Sequence, residues 1–566
     1  MTEFIFALSA VFISAGVLLL IANQLRLPPV PFYIIAGLII GLGGVVDEEL
    51  LFELALWGVA FLVFVFGIRV DLSDIRLVLR DGEGAAFTQL VVVAPVAFGV
   101  GYLLGDLFGF EEPGRNALYF SAAATLSSTL VGARILQEEI RNNLVHGRLA
   151  ASVHFFDDIV AIVAIVILSA EVLTDAQLVT SKIGFAVLFL LAGLLLYRHG
   201  YPLLVRAAGG GDELVLMGSI SILIVFIAAA EAVEISIVVG AFAAGLAVRS
   251  DGVESLGVRN GIESIKDFFA AIFFVTVGAL VSIPTVEVVI LAGVLVGLVV
   301  VVNPLVHTAA FIYEGYDGRT AFLAGSSLNQ VSELALVIAI QAQLDLGTIT
   351  EAMFNAIILA AATTMILSAF AGRYENAFYT HILSRLLKGR TEAIDANSDV
   401  ENLSEHVVIV GYGRQGRHLA SVLDDIDRPY VVIENDPTIQ PNLKTDCENY
   451  VFGDAMAEYP MELAQVTHAR LIISTVDHRP VSDALLELET DAEVILRAGT
   501  SVEATELLAN GAMFVAVPGI LGGDQLVENV EYVLSESDGE SLEQRHRAYL
   551  ERVLIAQLRR SERSIE

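Results

Sequence analysis

The sequence predicts a membrane domain of apolar helices followed by a soluble α/β domain, and three observations carry that prediction. Of the 566 residues, 55% are hydrophobic and the mean hydropathy is +0.70, far above the range of soluble proteins. Apolar runs of spanning length recur from the N-terminus to about residue 375. Beyond them the composition turns mixed, and from His406 short β-rich runs alternate with helical patterns. The expected domains are 1–375 in the membrane, a linker at 376–403, the α/β domain at 404–520 and a helical tail at 521–566.

Taken in order, thirteen spanning helices are expected near 4–23, 31–46, 50–68, 85–109, 116–136, 146–170, 177–197, 213–233, 235–249, 267–283, 286–312, 319–342 and 350–371, with a tight turn from Glu231 to Ser236. MTEF lacks a basic n-region and no small-residue cleavage site follows, so the first run reads as a helix and not a signal peptide. The distribution of basic residues tests the count. With the C-terminal domain in the cytosol, thirteen spans place the N-terminus outside. The inner loops then hold Arg26; Arg69, Arg76 and Arg80; Arg134, Arg141 and Arg148; Arg198 and Arg206; Arg249, Arg259 and Lys266; Arg319; and Arg373. The outer loops keep only Arg115 and Lys182. That asymmetry supports a multi-pass protein of the cell membrane.

Two spans carry unusual polar clusters. The fifth has Thr125, Ser127, Ser128 and Thr129 at its middle; the twelfth has Ser326, Ser327, Asn329, Gln330, Ser332 and Glu333. Backbone unwinds at membrane depth only where protein or a cavity surrounds it, and hydroxyls help satisfy the freed groups. Paired broken helices in two halves of a chain point to a transport site. Seven helices separate these two, an odd number, so they run in opposite directions, as inverted repeats require. Back-bonding to i−4 carbonyls explains single hydroxyls in intact helices, and clusters poorly.

Between them lies SVHFFDDIVAIVAIVIL (152–168), with Asp157 and Asp158 adjacent in an otherwise apolar segment. One carboxylate at mid-membrane depth costs about 2.5–3.5 kcal/mol. Two repel each other, so at least one is expected to hold a proton more tightly than a free Asp. Such a pair suits the exchange of protons for cations, although one aspartate capping a helix would also fit. Glu333 is a further carboxylate at membrane depth, and His154 shares roughly one helix face with the pair.

The remaining composition excludes more than it assigns. The net charge is −34, from 66 acidic and 32 basic residues, which argues against nucleic acid as a partner. The excess is expected of a halophile, whose salty cytosol screens dense like charge. A single cysteine, Cys447, rules out an internal disulfide framework and fits a reducing compartment. The linker opens amphipathic and basic (RYENAFYTHILSRLLKGR), as at an inner membrane surface, and closes acidic.

TLSSTLVGARIL (125–136), FFDDIVAI (155–162), FFVTVGAL (273–280) and NQVSELALVIA (329–339) together resemble the second subfamily of monovalent cation:proton antiporters, which includes Kef-type potassium efflux proteins and bacterial sodium/proton exchangers. The resemblance implies twelve or thirteen helices with two inverted units forming a moving core. It implies that Asp158 binds Na⁺ or K⁺ and a proton in alternation while Asp157 modulates charge, with Thr125, Ser128, Thr129, Gln330 and Glu333 around them. Two departures stand out. Ser332 replaces a glycine usual before the glutamate, and Phe268–Leu280 lacks the lysine that electrogenic members place near the aspartates. A two-proton stoichiometry therefore does not follow.

In the soluble part, strands are expected at 406–410, 430–434, 449–452, 470–475, 493–497 and 513–517, with helices between them in a parallel sheet. The first strand runs into GYGRQG, where Gly411, Gly413 and Gly416 with Arg414 and Gln415 open a helix, and Glu434 ends the next strand. This is the complete dinucleotide fingerprint of a Rossmann-like fold, and the acid favours NAD(H) over its 2′-phosphorylated counterpart. GDAMAEYPMELAQVTHARLIIST (453–475) resembles the TrkA-N, or potassium-transport nucleotide-binding, domain. That resemblance implies NAD(H) or an adenine nucleotide as regulatory ligand, Asp454 near it, and a homodimer. The expected function is antiport of Na⁺ or K⁺ against H⁺, gated by nucleotide; the alternative is a channel-like, ligand-gated potassium efflux system. A membrane-anchored oxidoreductase is disfavoured, because no catalytic His/Lys/Tyr set surrounds the fingerprint, so the protein is not expected to be an enzyme.

Overall fold

The computed structural model describes residues 2–25, 27–43, 48–69, 84–142, 144–168, 176–209, 211–248, 256–345, 347–383, 393–396 and 403–535. They form two compact units. The first comprises Met1–Ile140, His146–Phe311 and Phe322–Phe378; the second comprises Arg141–Val145, Ile312–Ala321 and Tyr379–Glu566. Arg26, Arg76, Arg80 and Arg249, most of the linker and the tail from 536 lie outside the described residues.

Apolar composition over spanning lengths makes the first unit helical. Its helices are α1 (Thr2–Leu25), α2 (Pro29–Leu42), α3 (Glu48–Arg69), α4 (Gly84–Leu107), α5 (Pro113–Thr125), α6 (Thr129–Ile135), α7 (Val145–Leu168), α8 (Ala176–Leu195, continuing to Ala208), α9 (Asp212–Ala232), α10 (Ile237–Val248), α11 (Leu256–Ala279) and α12 (Val286–Tyr313). After α13 (Gly318–Ser326), which begins in the segment grouped with the second unit, come α14 (Glu333–Ile340) and α15 (Glu351–Phe378). Among the described residues, seven helices are long and apolar enough to cross a membrane, and three shorter apolar ones accompany them. The spanning window of α15 is 72% buried and that of Gly184–Ala208 only 11%, so α15 is central and α8 faces outward from its unit. The expected turn at Glu231–Ser236 joins α9 to α10, with Glu234 at φ 55°.

Both polar spans break. Leu126 is extended (ψ 130°) between α5 and α6, and Ser332 is extended (ψ 143°) ahead of α14. The two extended stretches cross antiparallel: Ser127 bridges Val331, and Ser332 N–H donates to the Leu126 carbonyl at 3.0 Å. Thr364 Oγ1 accepts from Val331 N–H at 3.1 Å. Freed backbone groups are thus satisfied inside protein, which is what makes unwinding affordable at this depth. Elsewhere small residues bring backbones together. A Cβ on Gly37 of α2 would lie 1.8 Å from the Val275 carbonyl oxygen of α11, and one on Gly278 2.0 Å from that of Ile34. Those two helices therefore pack backbone to backbone.

The second unit is built on a seven-stranded sheet. Its strands are β1 (Ala393–Ala396), β2 (His406–Val410), β3 (Tyr430–Glu434), β4 (Tyr450–Gly453), β5 (Ala469–Ser474), β6 (Glu493–Arg497) and β7 (Phe514–Ala516), in the order β1-β4-β3-β2-β5-β6-β7. From β2 onward every pairing is parallel, and the chain winds outward both ways from β2. That is the doubly wound order, whose ligand crevice lies where the winding reverses. Helices cover both faces, so β2 and β3 are buried at every position. One strand was not expected: AIDA in the supposed linker pairs antiparallel with β4. Its four residues are too short and too acidic a run to register as strand in the sequence, and only the free edge of β4 gives them a partner.

Candidate exchange site and nucleotide cradle

The crossing of the two extended stretches puts helix starts, hydroxyls and carboxylates in one place. Asp157 and Asp158 on α7 are 1% and 2% exposed. Asp157 Oδ2 accepts from Ser127 N–H at 2.9 Å and Ser127 Oγ at 2.5 Å, and Gln89 Nε2 donates to Oδ1. Asp158 Oδ2 accepts from Thr129 Oγ1 at 2.8 Å. Glu333, the first residue of α14, accepts from Ser128 Oγ at 2.5 Å and Leu130 N–H at 3.1 Å. The break therefore aims consecutive residues at three different carboxylates, which an intact helix, turning about 100° per residue, would not do.

Gln330 holds the crossing together, donating to the Ser128 carbonyl at 3.1 Å and accepting from Ser368 Oγ at 2.9 Å. Thr125 does not reach the carboxylates; its hydroxyl back-bonds to the Ser121 carbonyl at 2.7 Å, so the part expected of it falls to Ser127. His154 Nδ1 lies 3.0 Å from Ser127 Oγ, and Gly132 makes room for its ring, since a Cβ there would lie 2.1 Å from His154 Nε2.

A cavity of about 200 Å³ opens on this group, with Thr129, His154, Asp158, Lys266 and Glu333 among its lining residues and apolar walls from Leu62, Val65 and Phe66. Lys266 reads in the sequence as an inner-loop charge. Its charged surroundings set the start of the expected span at 267, whereas α11 begins at Leu256 and carries Lys266 on the cavity wall, 3.2 Å from Asp267. A lysine thus shares a cavity with these acids, two residues before Phe268–Leu280. A second cavity, of about 290 Å³, touches α14 at Val337 and Ile340, one to two turns from Glu333, and Gln341 just beyond it, and is lined by Glu231 and Glu234.

In the second unit the fingerprint residues lie between β2 and the helix that follows it. Gly411 follows β2 at φ 93°, a region that favours glycine. Gly416, on the helix Arg414–Asp425 (α16), packs so close that a Cβ would lie 2.0 Å from the Gly411 carbonyl oxygen. Gly413 caps that helix without a side-chain bond to its free amides, and the space beside it is open. Open space before a helix N-terminus fits a phosphate group. Arg414 and Gln415 are exposed at the first turn, and Gln415 accepts from Arg497 at 2.9 Å.

Glu434 is buried. Its Oε2 accepts from Tyr412 N–H at 2.6 Å, and its Oε1 from Asn435 and Asp436 N–H at 2.8 and 2.9 Å. Burial holds its carboxyl above the usual carboxylate range, opposed by those amides. Three donors leave one of about four acceptor positions for a ribose hydroxyl. Asp454 lies 3.7 Å from Arg319, in the segment 312–321 that groups with this unit, and Asn435 donates to Thr320 at 3.1 Å. Neither partner was foreseen, because Arg319 reads in the sequence as a loop charge.

The sodium/hydrogen exchanger transmembrane family matches residues 8–372, and the TrkA-N domain matches 407–518. The chain is 26% identical over 549 residues to the protein named K(+) efflux antiporter KefB in Alkalimonas amylolytica, covering 92% of this chain and 80% of that one. It is 26% identical over 524 residues to the protein named cation/proton antiporter YbaL in Escherichia coli, covering 88% and 92%. Its fold is similar to that of the sodium proton antiporter MjNhaP1 from Methanocaldococcus jannaschii, with a TM-score of 0.52 at 15% identity over 67% of this chain and 99% of that one. With crossed broken helices, buried carboxylates and a TrkA-N domain in one chain, the protein belongs to the sodium/hydrogen exchanger family.

Proposed function

We propose that the protein exchanges a monovalent cation, Na⁺ or K⁺, for protons across the cell membrane, with Asp158 taking each in turn. The observation that carries this reading is the cavity in which Asp158, Thr129 and Glu333 face one space at the crossing of two broken segments. A cation there needs oxygen ligands and negative charge; a proton on Asp158 removes both the charge and a ligand. Occupancy is then exclusive, and each ion's gradient drives the other. Lys266 lines the same cavity, paired at 3.2 Å with Asp267, and adds a basic group to the wall that Asp158 and Glu333 share. The two cavities contact the helix that begins at Glu333 at different turns, which supports alternating exposure of the site; thirteen crossings, the N-terminus outside and the α/β domain in the cytosol rest on the distribution of basic residues.

Regulation follows from the nucleotide cradle. Gly411, Gly413 and Gly416 admit a pyrophosphate, Glu434 takes ribose hydroxyls, and Asp454 lies near the nucleotide as the TrkA-N likeness implies. The ligand is NAD(H) or an adenine nucleotide, acting as an effector and not as a reactant, so no enzymatic activity is assigned. A homodimer in a halophile's membrane is the remaining part of this reading, supported by the family likeness and by the net charge of −34.

The test is a pH-gradient dequenching assay in proteoliposomes titrated with each cation. Saturable proton movement driven by Na⁺ or K⁺, abolished in Asp158→Asn, is expected; exchange of near-normal rate in that variant overturns the assignment. The relative named for K(+) efflux favours potassium. Single-channel currents would instead select the channel-like alternative.

A further inference from the structure

A buried chain of polar groups leads away from Asp157, and the exchange reading does not use it. Gln89, at the start of a π turn in α4, donates through Nε2 to Asp157 Oδ1. Its other end, Oε1, lies 2.7 Å from His307 Nε2 on α12. His307 Nδ1 in turn lies 2.8 Å from the Asn303 backbone carbonyl. Gln89 and His307 are fully buried, so each of these contacts must be a satisfied hydrogen bond and not a solvated one.

The donor and acceptor inventory fixes what this chain can do. A carbonyl oxygen only accepts, so His307 Nδ1 carries hydrogen in every state. If His307 is neutral, Nε2 is bare and can only accept. Gln89 must then turn its amide NH₂ toward the imidazole and its oxygen toward Asp157. If His307 carries a second proton, Nε2 donates to the Gln89 oxygen, and the NH₂ group faces Asp157. The amide nitrogen and oxygen of Gln89 occupy almost the same volume in either orientation. One proton at His307 Nε2 therefore selects which end of Gln89 meets the carboxyl, with no movement of the backbone.

We propose that His307 and Gln89 are positioning residues for the exchange site: the protonation of His307 sets the orientation of Gln89, and thereby whether Asp157 is offered a donor or an acceptor. A donor supports a charged Asp157, an acceptor does not. The inference rests on the exchange reading of the Asp157–Asp158 site and deepens it. The other oxygen of Asp157, Oδ2, is already met by the Ser127 amide and hydroxyl, so Gln89 at Oδ1 is its adjustable partner. Among the described residues, the titratable groups near His307 are Asp157, reached through Gln89, and His154 on α7.

The experiment is the pH profile of cation-driven proton movement in proteoliposomes of the full-length protein. His307→Lys, as an ammonium, only donates and holds the Gln89 NH₂ group toward Asp157. It is expected to move the acid limb of the profile to lower pH, by about tenfold in proton concentration. His307→Leu frees Gln89 and is expected to remove a titrating step from that limb. Gln89→Leu severs the chain, so adding His307→Leu to it is expected to change nothing further. A profile of unchanged shape in both His307 variants, scaled only in rate, would mean that the imidazole merely fills space and would overturn the proposal. Should neither His307 variant fold, Gln89→Asn, too short to touch both neighbours, carries the test: loss of the step supports the proposal and an unchanged profile refutes it. Exchange by Asp158→Asn at the wild-type rate in the same vesicles would refute the underlying exchange reading instead, whatever the His307 variants do.

Discussion

Replacing Ser128 by alanine tests the crossing on which the site is built. The Ser128 hydroxyl donates to Glu333 at 2.5 Å and accepts from Val131 N–H at 3.3 Å, capping α6. A bond to a charged partner contributes about 1.5–3 kcal/mol, and a lost serine cap costs about 1 kcal/mol. The second contact is long and the two share one oxygen, so they do not simply add. About 2–3 kcal/mol is the expected loss, or roughly 30–150-fold in the equilibrium that holds Glu333 against the first broken segment. Ser128→Thr keeps the hydroxyl and serves as the control. Thermal unfolding in detergent is expected to drop by a few degrees for alanine and little for threonine, and exchange in vesicles is expected to rank in the same order. Equal stability and equal exchange for the two variants would show that the Ser128–Glu333 bond does not fasten the crossing.

Three further outcomes follow from the second unit. Burial pushes the Cys447 thiol up to about 11, a tyrosine hydrogen bond opposing it. At pH 8 its thiolate fraction is about one in a thousand, against about one in four for a free cysteine. Maleimide labelling of the folded protein is expected to run roughly 200-fold slower than after denaturation, and equal rates would contradict the burial. Burial, and then the charge of Asp454, push Asp317 up to about 6 from 3.8. Between those values the folded chain holds a proton that the unfolded chain has lost, so stability falls as pH rises through this window. Asp317→Asn, which keeps an acceptor for the Arg319 and Thr320 amides, is expected to flatten that fall in thermal scans at pH 4.5 and 7. A wild-type slope in the variant would refute this. Finally, Gly413→Val places a branched side chain in the open space before α16. Calorimetry on the full-length protein is expected to show loss of NADH or ADP binding, and undiminished affinity would discard the cradle.

Much of this was legible in the sequence, for identifiable reasons. Asp157, Asp158 and Glu333 stood out because a carboxylate inside an apolar span is costly, and the two breaks because hydroxyls clustered where single ones suffice for an intact helix. The fingerprint glycines were readable because strand, turn and helix signals coincided around them. What remained hidden depended on three-dimensional direction. Thr125 and Ser127 are indistinguishable by composition, and only the extended geometry after Leu126 sends Ser127 to Asp157 while Thr125 stays bonded within its helix. Lys266 was assigned to a loop because acidic and basic neighbours hid the first turns of α11. Gln89 and His307 are lone polar residues in separate spans, and only folding makes them neighbours.

The most direct measurement is proton release on cation binding. On the proposed competition of cation and proton for Asp158, adding Na⁺ or K⁺ to the purified protein in weakly buffered solution should acidify it, and Asp158→Asn should release none. Cation binding detected by calorimetry with no accompanying acidification, or equal release from the variant, would contradict exclusive occupancy and the exchange mechanism with it.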